Sequence, residues 1–408
     1  MKKQVVVVGG GASGLMAGIH AAKAGADVTI VEHMDRVGKK ILSTGNGKCN
    51  LTNYVQNASC YRSDNKDFPW QVFKQFDAEK TICFFEELGL FPKVRQGYVY
   101  PHSEQAAAVL ELLRMEAARL GISVVCQCEV TGIRKRGKKL SVLTSLKNFE
   151  ADAVILAAGS KAAPVTGSDG SGYSLARSLG HHIIKPLPAL VQLRCSGKEY
   201  KHLAGIRTEA KLTLLVNDRV EAEEQGELQL TDYGISGIPT FQISRFASKA
   251  LDQKKQVIVE IDFLPKLSFQ ETKELLEHRR LTMGNKTGEE FLIGLFHKKL
   301  AEVLLKQAGI SARESIKTAK PQEMERLTRL VKCWEAKVTE TNPFPNAQVC
   351  CGGVDTREID PATMESRLVK GVFLAGELLD VDGICGGYNL QWAWSSGAIA
   401  GIHAGENR

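Results

Sequence analysis

The first 14 residues constrain this chain's fold most. Gln4–Val8 is a short, continuous apolar run, and Gly9-Gly10-Gly11-Ala12-Ser13-Gly14 follows it directly. A strand buried on both faces of a parallel sheet reads as such a run, because neither face meets water. Lys2 and Lys3 before it also suit a secretory signal, but the glycines interrupt at once and no small-residue cleavage site follows, so a buried strand is expected. The glycines permit a tight turn and let the backbone approach a pyrophosphate. A helix is expected from about Leu15 to Ala24, ended by Gly25 as C-cap. Its first turn offers unpaired N–H groups and a positive dipole end to that anion. Residues 28–31 (Val-Thr-Ile-Val) form a second strand ending at Glu32. A carboxylate there accepts hydrogen bonds from a ribose diol and repels the 2′-phosphate of NADP.

The turn alone does not separate FAD from NAD. Two further segments favour FAD. Residues 38–53, Gly-Lys-Lys-Ile-Leu-Ser-Thr-Gly-Asn-Gly-Lys-Cys-Asn-Leu-Thr-Asn, hold too many Gly, Asn and Thr for a regular element. They offer backbone N–H groups, amides and cations to a cofactor's phosphates and ribityl chain. Near the other end, Gly376-Glu377 opens a run through Gly386-Gly387-Tyr388-Asn389-Leu390-Gln391, with a helix expected to begin near Asn389. A helix amino end facing an isoalloxazine ring stabilises negative charge on its N1/O2 side. Both ends of the chain thus converge on one extended cofactor.

The strand-like residues 153–156 lead into Ala157-Ala158-Gly159-Ser160, and 371–374 into Ala375-Gly376-Glu377. The expected fold class is α/β: a Rossmann-like FAD-binding domain from residues 1–189 and 341–408, with an inserted β-barrel-like domain (190–265) and a helical domain (266–340). Residues 266–337 carry 15 Lys+Arg against 10 Asp+Glu, an excess of 5 interspersed with acids. No apolar run is long enough for a membrane helix. Ten scattered cysteines without C-x-x-C spacing read as reduced thiols in a cytoplasmic protein, and no metal site is expected. The net charge of +7 suits an anionic cofactor and permits a nucleic-acid partner without requiring one.

Residues 38–53, Thr231-Asp232-Tyr233-Gly234-Ile235-Ser236-Gly237-Ile238-Pro239, and the segment from Cys351-Gly352-Gly353-Val354 through Met364-Glu365-Ser366 to Gly386–Gln391 together resemble the BaiN/RdsA flavoprotein family over nearly the whole chain. The resemblance implies FAD contacts at Gly9, Gly11, Ser13, Gly14 and Glu32 in the first unit, and at Lys40, Thr44, Gly45, Asn46, Gly47 and Asn50 in the wrapping segment. It also implies contacts at Gly159, Gly376, Asn389 and Gln391, and Ala12, Val130, Glu377 and Leu390 join the expected set. Cys385 stands where the family is expected to carry Thr.

The resemblance further implies NADH- or NADPH-driven reduction of a conjugated carbon–carbon double bond. One branch is associated with unsaturated 3-oxo bile acids and another with uridine in large-subunit ribosomal RNA. The steroid substrate is the expected one and ribosomal RNA the alternative. A flavin amine oxidase and a non-catalytic FAD-binding module are the readings outside the reductases. An ene-reductase needs a proton donor. Tyr388, Cys385 and His102 are the candidates. Tyr98 and Tyr100 share the Tyr/Pro-containing loop with His102; Asp380 and Asp382 are further acid candidates, but orienting the ribityl chain or capping the next helix suits them equally well. Cys49 is expected to pack in the cofactor loop.

Overall fold

A computed structural model describes residues 2–406 and forms two compact units, Met1–Leu187 with Gln348–Arg408, and Pro188–Ala347. In the first unit, β1 (Gln4–Val8) is the centre of a five-stranded parallel sheet. β2 (Asp27–Val31) and β3 (Ser123–Val125) extend it on one side. β4 (Ala153–Leu156) and β5 (Val372–Leu374) extend it on the other. Val5, Val6, Val7 and Val8 pair in register with the four residues of β4, and all of these side chains are buried. The continuous apolar runs follow from this two-sided burial.

Helix α1 (Ala12–Lys23) connects β1 to β2. It starts three residues before the expected Leu15, because Gly11 at its N-cap is already extended and the turn passes straight into the helix. The C-terminal helix α2 (Tyr388–Gly405) lies across α1 and begins one residue before the expected Asn389. Gly397, Gly401 and Gly405 repeat every four residues and so share one face of α2. A methyl carbon on Gly397 would stand 2.5 Å from the Ser13 carbonyl oxygen and one on Gly405 2.6 Å from that of Ala21, while one on Gly401 would collide with the Ala17 carbonyl. The helices therefore touch backbone to backbone. Other faces of α2 are anchored by Trp392 and Trp394, whose indole N–H groups donate to Gly376 O and Leu51 O, each at 2.9 Å.

A smaller antiparallel sheet of the same unit joins Thr52–Asn53 to the hairpin Pro92–Arg95/Tyr98–Pro101. In the second unit, six strands close into a barrel, among them Arg207–Val216, Arg219–Thr231 and Val257–Asp262. The helices Phe269–Thr282, Lys298–Ala308 and Pro321–Lys332 follow, and the barrel is then completed by Trp334–Thr341 from beyond them. Leu276, Leu304 and Leu327 of the helices share one apolar cluster with Leu212, Leu230 and Val259 of the barrel. Residues 190–265 and 266–340 thus pack around a common core. Among the described residues, no helix is long and apolar enough to cross a membrane.

Candidate functional site

The glycine turn is sterically obligatory. Gly9 has φ +99°, and a methyl carbon on it would lie 2.6 Å from the Ala157 carbonyl oxygen; one on Gly14 would collide with the Gly9 carbonyl. Gly11 is different: a methyl carbon there would meet no protein atom within 4 Å. That open space adjoins the amino end of α1, where Ala12 and Ser13 begin the helix and no side chain caps the first turn. Unsatisfied N–H groups beside an open cradle suit a pyrophosphate.

Glu32 ends β2 as a buried carboxylate. One oxygen accepts the Gly10 N–H at 2.8 Å; the other accepts the Met34 N–H at 2.9 Å and lies 3.2 Å from His33 Nδ1. Burial pushes its pKa up, but the hydrogen bonds from His33, Met34 and Gly10 outweigh burial and hold it below the ordinary value. The anionic form is the one a ribose diol needs. The His33 pKa is raised, chiefly by its hydrogen bond to Glu32.

The wrapping segment is more ordered than expected. Lys39–Ser43 is a short helix and Thr44–Gly47 a single 3-10 turn, broken because Gly45 and Asn46 are both left-handed. The Thr44 hydroxyl donates to Ile41 O at 2.6 Å and closes the helix, while Gly47 is exposed. Asn50 is buried, and its Oδ1 has no hydrogen-bond partner. An orphaned buried amide oxygen is costly unless a ligand supplies the donor. Lys40 Nζ pairs with Glu377 Oε2 at 2.7 Å and reaches Ala162 O at 3.3 Å; Glu377 Oε1 accepts the Cys350 N–H at 3.2 Å. This lysine and this acid therefore neutralise each other at the loop after β5. Gly159 has φ +73° at the loop after β4, and Val130 is half-buried at the start of the strand Val130–Arg136. Burial pushes the Cys49 thiol to about 12, so it is a packing group and not a nucleophile.

At α2, several expected contact residues are engaged within the protein. Asn389 Oδ1 accepts the Gly383 N–H at 2.8 Å and its amide donates to Gly383 O at 2.9 Å, which fixes the preceding loop. Gln391 is wholly buried. Its Oε1 accepts the Thr52 hydroxyl at 2.5 Å, and its Nε2 donates to Thr81 Oγ1 at 2.9 Å and Ser395 Oγ at 2.8 Å. Both protons of that amide are used, so Gln391 ties the wrapping segment to α2. The partners Thr52, Thr81 and Ser395 carried no sequence signal beyond being polar. Leu390 is half-buried in the first turn of α2, and Gly376 abuts Ser13, bringing the loop after β5 to the amino end of α1.

The three proton-donor candidates lie apart in character. Tyr388 is buried, edge-on to Tyr61 with centroids 5.7 Å apart. Burial first, then the neighbouring Cys60 thiol, pushes the phenol pKa up. Cys385 is half-buried just before Gly386. His102 is exposed and lies tilted against the exposed Phe91 ring, centroids 5.5 Å apart. Tyr98 sits elsewhere: a methyl carbon on Gly386 would stand 2.7 Å from its ring, and Asn53 Nδ2 donates to Gly386 O at 3.2 Å beside it.

Among sequence-family descriptions, "HI0933-like protein Rossmann domain" matches residues 3–403. The chain belongs to the HI0933-like family. The resemblance drawn from the motifs and the Rossmann-type α/β expectation are both borne out. One relative, the 3-dehydro-bile acid delta(4,6)-reductase of Clostridium scindens, is 46% identical over 405 residues, covering 99% of each chain. The ribosomal RNA dihydrouridine synthase of Haemophilus influenzae is 30% identical over 398 residues, covering 96% of each chain. That of Escherichia coli is 27% identical over 395 residues, covering 96% of this chain and 95% of its own.

Proposed function

We propose that this protein is an FAD-dependent reductase of a carbon–carbon double bond conjugated to a carbonyl, acting on a 3-oxo bile acid or related steroid with NADH or NADPH as electron donor. The observation that carries the reading is the 46% identity, across 99% of both chains, to a relative named for that chemistry. The open cradle at Gly11, the anionic Glu32 and the orphaned Asn50 Oδ1 support a cofactor of this length. Bound FAD would supply the hydride. The N–H groups of the first turn of α1 would hold its pyrophosphate, Glu32 its ribose diol, and Asn50 a donor along its length. The positive end of α2 favours negative charge developing in front of Gly387.

Uridine in ribosomal RNA is the second reading, favoured by the relative at 30% identity. The charge pattern of the helices weighs against it. Lys273 pairs with Glu325 at 2.8 Å, Lys298 with Glu289 at 2.6 Å and Lys332 with Asp262 at 2.6 Å. Cations neutralised in pairs attract a phosphate backbone weakly.

One paired assay tests the reading. Purified protein is expected to be yellow and to release FAD, not FMN, on denaturation. Its colour should bleach anaerobically with NADH or NADPH and return on adding a 3-oxo-Δ4 steroid. Dihydrouridine formed in a ribosomal RNA fragment, with no response to steroid, would replace this substrate with the second. Bleaching by an amine and not by NADH would overturn the reductase assignment altogether.

A further inference from the structure

Reduction of an enone adds a hydride at the β-carbon and a proton at the α-carbon, and the proton must come from an acid held at the substrate. We propose that this acid is the Tyr98 hydroxyl, an inference that rests on the reductase reading above.

Tyr98 begins the strand Tyr98–Pro101, and Asn53 is its register partner across the sheet. Side chains alternate along a strand. Val99 points into the core with no exposure, so Tyr98 and Tyr100 share the opposite, half-buried face. The Tyr98 ring covers Gly386, the residue before the N-cap of α2, and reaches this position only because Gly386 has no side chain. It therefore stands at the positive end of α2, where the reading above expects charge to develop. Its hydroxyl makes no hydrogen bond to any described residue and remains available to a substrate. The other candidates lack this combination. The Tyr388 side chain is buried within an aromatic cluster, away from any incoming substrate. His102 lies four residues further along the chain, about 13 Å away at the rise of an extended strand, and packs on Phe91.

The step balances simply. The two electrons come from NADH or NADPH, which is oxidised, and the C=C bond is reduced. The Tyr98 O–H bond breaks as the C–H bond at the α-carbon forms, and solvent returns the proton to the tyrosinate.

The test uses FAD-loaded wild type, Tyr98→Phe, Tyr388→Phe and His102→Gln. NADH should bleach all four at similar rates. Reoxidation by a 3-oxo-Δ4 steroid should fall by about 10²–10³-fold in Tyr98→Phe and by less than about threefold in the other two. Steroid binding to the oxidised enzyme, read from the shift in flavin absorbance, should stay within about threefold of wild type, because a phenol-to-phenyl change leaves the packing of the site intact. Wash-out of deuterium from the α-carbon of a saturated 3-oxo steroid, with no reductant present, should vanish in Tyr98→Phe. A second variant, Gly386→Ala, keeps the phenol but displaces the ring and should lose reoxidation as well. If wild type is reoxidised by the steroid and Tyr98→Phe equally so, Tyr98 is not the acid while the reductase reading stands. A collapse of steroid binding in Tyr98→Phe would make the residue a binding group and overturn the proposal. If no steroid reoxidises the wild type, the functional reading falls, and this proposal falls with it.

Discussion

The Gln391 side-chain carbonyl accepts the Thr52 hydroxyl at 2.5 Å, joining the first turn of α2 to the end of the wrapping segment, 339 residues away in the chain. Thr52→Val keeps the shape and removes the donor. A buried amide oxygen left bare costs about 1–3 kcal/mol. Urea unfolding should show that loss, and FAD should dissociate faster because two of the segments proposed to hold it are no longer tied. Thr52→Ser, which keeps the hydroxyl, should recover most of both.

Gly401 and Gly11 make opposite predictions. A methyl on Gly401 collides with the Ala17 carbonyl in the α1–α2 contact, so Gly401→Ala should cost about 1–3 kcal/mol as an overpacked interface. A methyl on Gly11 meets no protein atom within 4 Å. Gly11→Ala should leave the melting temperature of the FAD-free protein unchanged and weaken FAD binding by tenfold or more, about 1.4 kcal/mol. Calorimetry on FAD-free protein and an FAD titration separate the two. Equal loss of stability in both variants would contradict the open cradle.

His20 on α1 gives a pH signature. It packs against Phe76 and Phe84, and burial lowers its pKa from 6.5 to about 4. Above pH 6.5 the imidazole is neutral in both folded and unfolded chains. As pH falls from 6.5 towards 4, the unfolded chain takes up a proton that the folded one refuses, so stability is lost across that window and levels off below it. The loss is at most about 3 kcal/mol, and less to the extent that water reaches the ring. His20→Phe should flatten this part of the profile in urea unfolding followed from pH 7 to pH 4.

Thiol reactivity should rank by burial. Cys49 and Cys350 are buried, with pKa values pushed up to about 12 and about 11, whereas Cys83 is exposed. Iodoacetamide at pH 8 should label Cys83 long before Cys49 or Cys350, as peptide mass spectrometry can follow. Early labelling of Cys49 would show that the wrapping segment opens in solution.

The legible parts of the fold were the local ones. The run Gln4–Val8, the glycines and Glu32 follow one another in sequence, and each has one physical reason to be there. Gly397, Gly401 and Gly405 were equally visible, but only the path of α1 reveals what their bare face touches. Gln391 entered the expected cofactor set through the family resemblance; its partners within the protein, Thr52, Thr81 and Ser395, are brought together by tertiary structure alone. Tyr98 and His102 read as members of one loop. The alternation Tyr98-Val99-Tyr100, a strand period with Val99 inward, was the signal that distinguishes them. The shared core of barrel and helices was hidden, since an amphipathic helix declares that it covers something without saying what.

The arrangement of β5 and α2 bears on how the protein is made. Strand β4, apolar and fully buried in the finished sheet, keeps one edge unpaired until residues 372–374 leave the ribosome, and α1 keeps a bare flank until α2 follows. The glycine turn is thus synthesised long before the parts that complete it. A nascent chain that stalls or is cut before residues 372–374 presents an open, sticky strand edge, a substrate for chaperones and proteases and not a smaller enzyme.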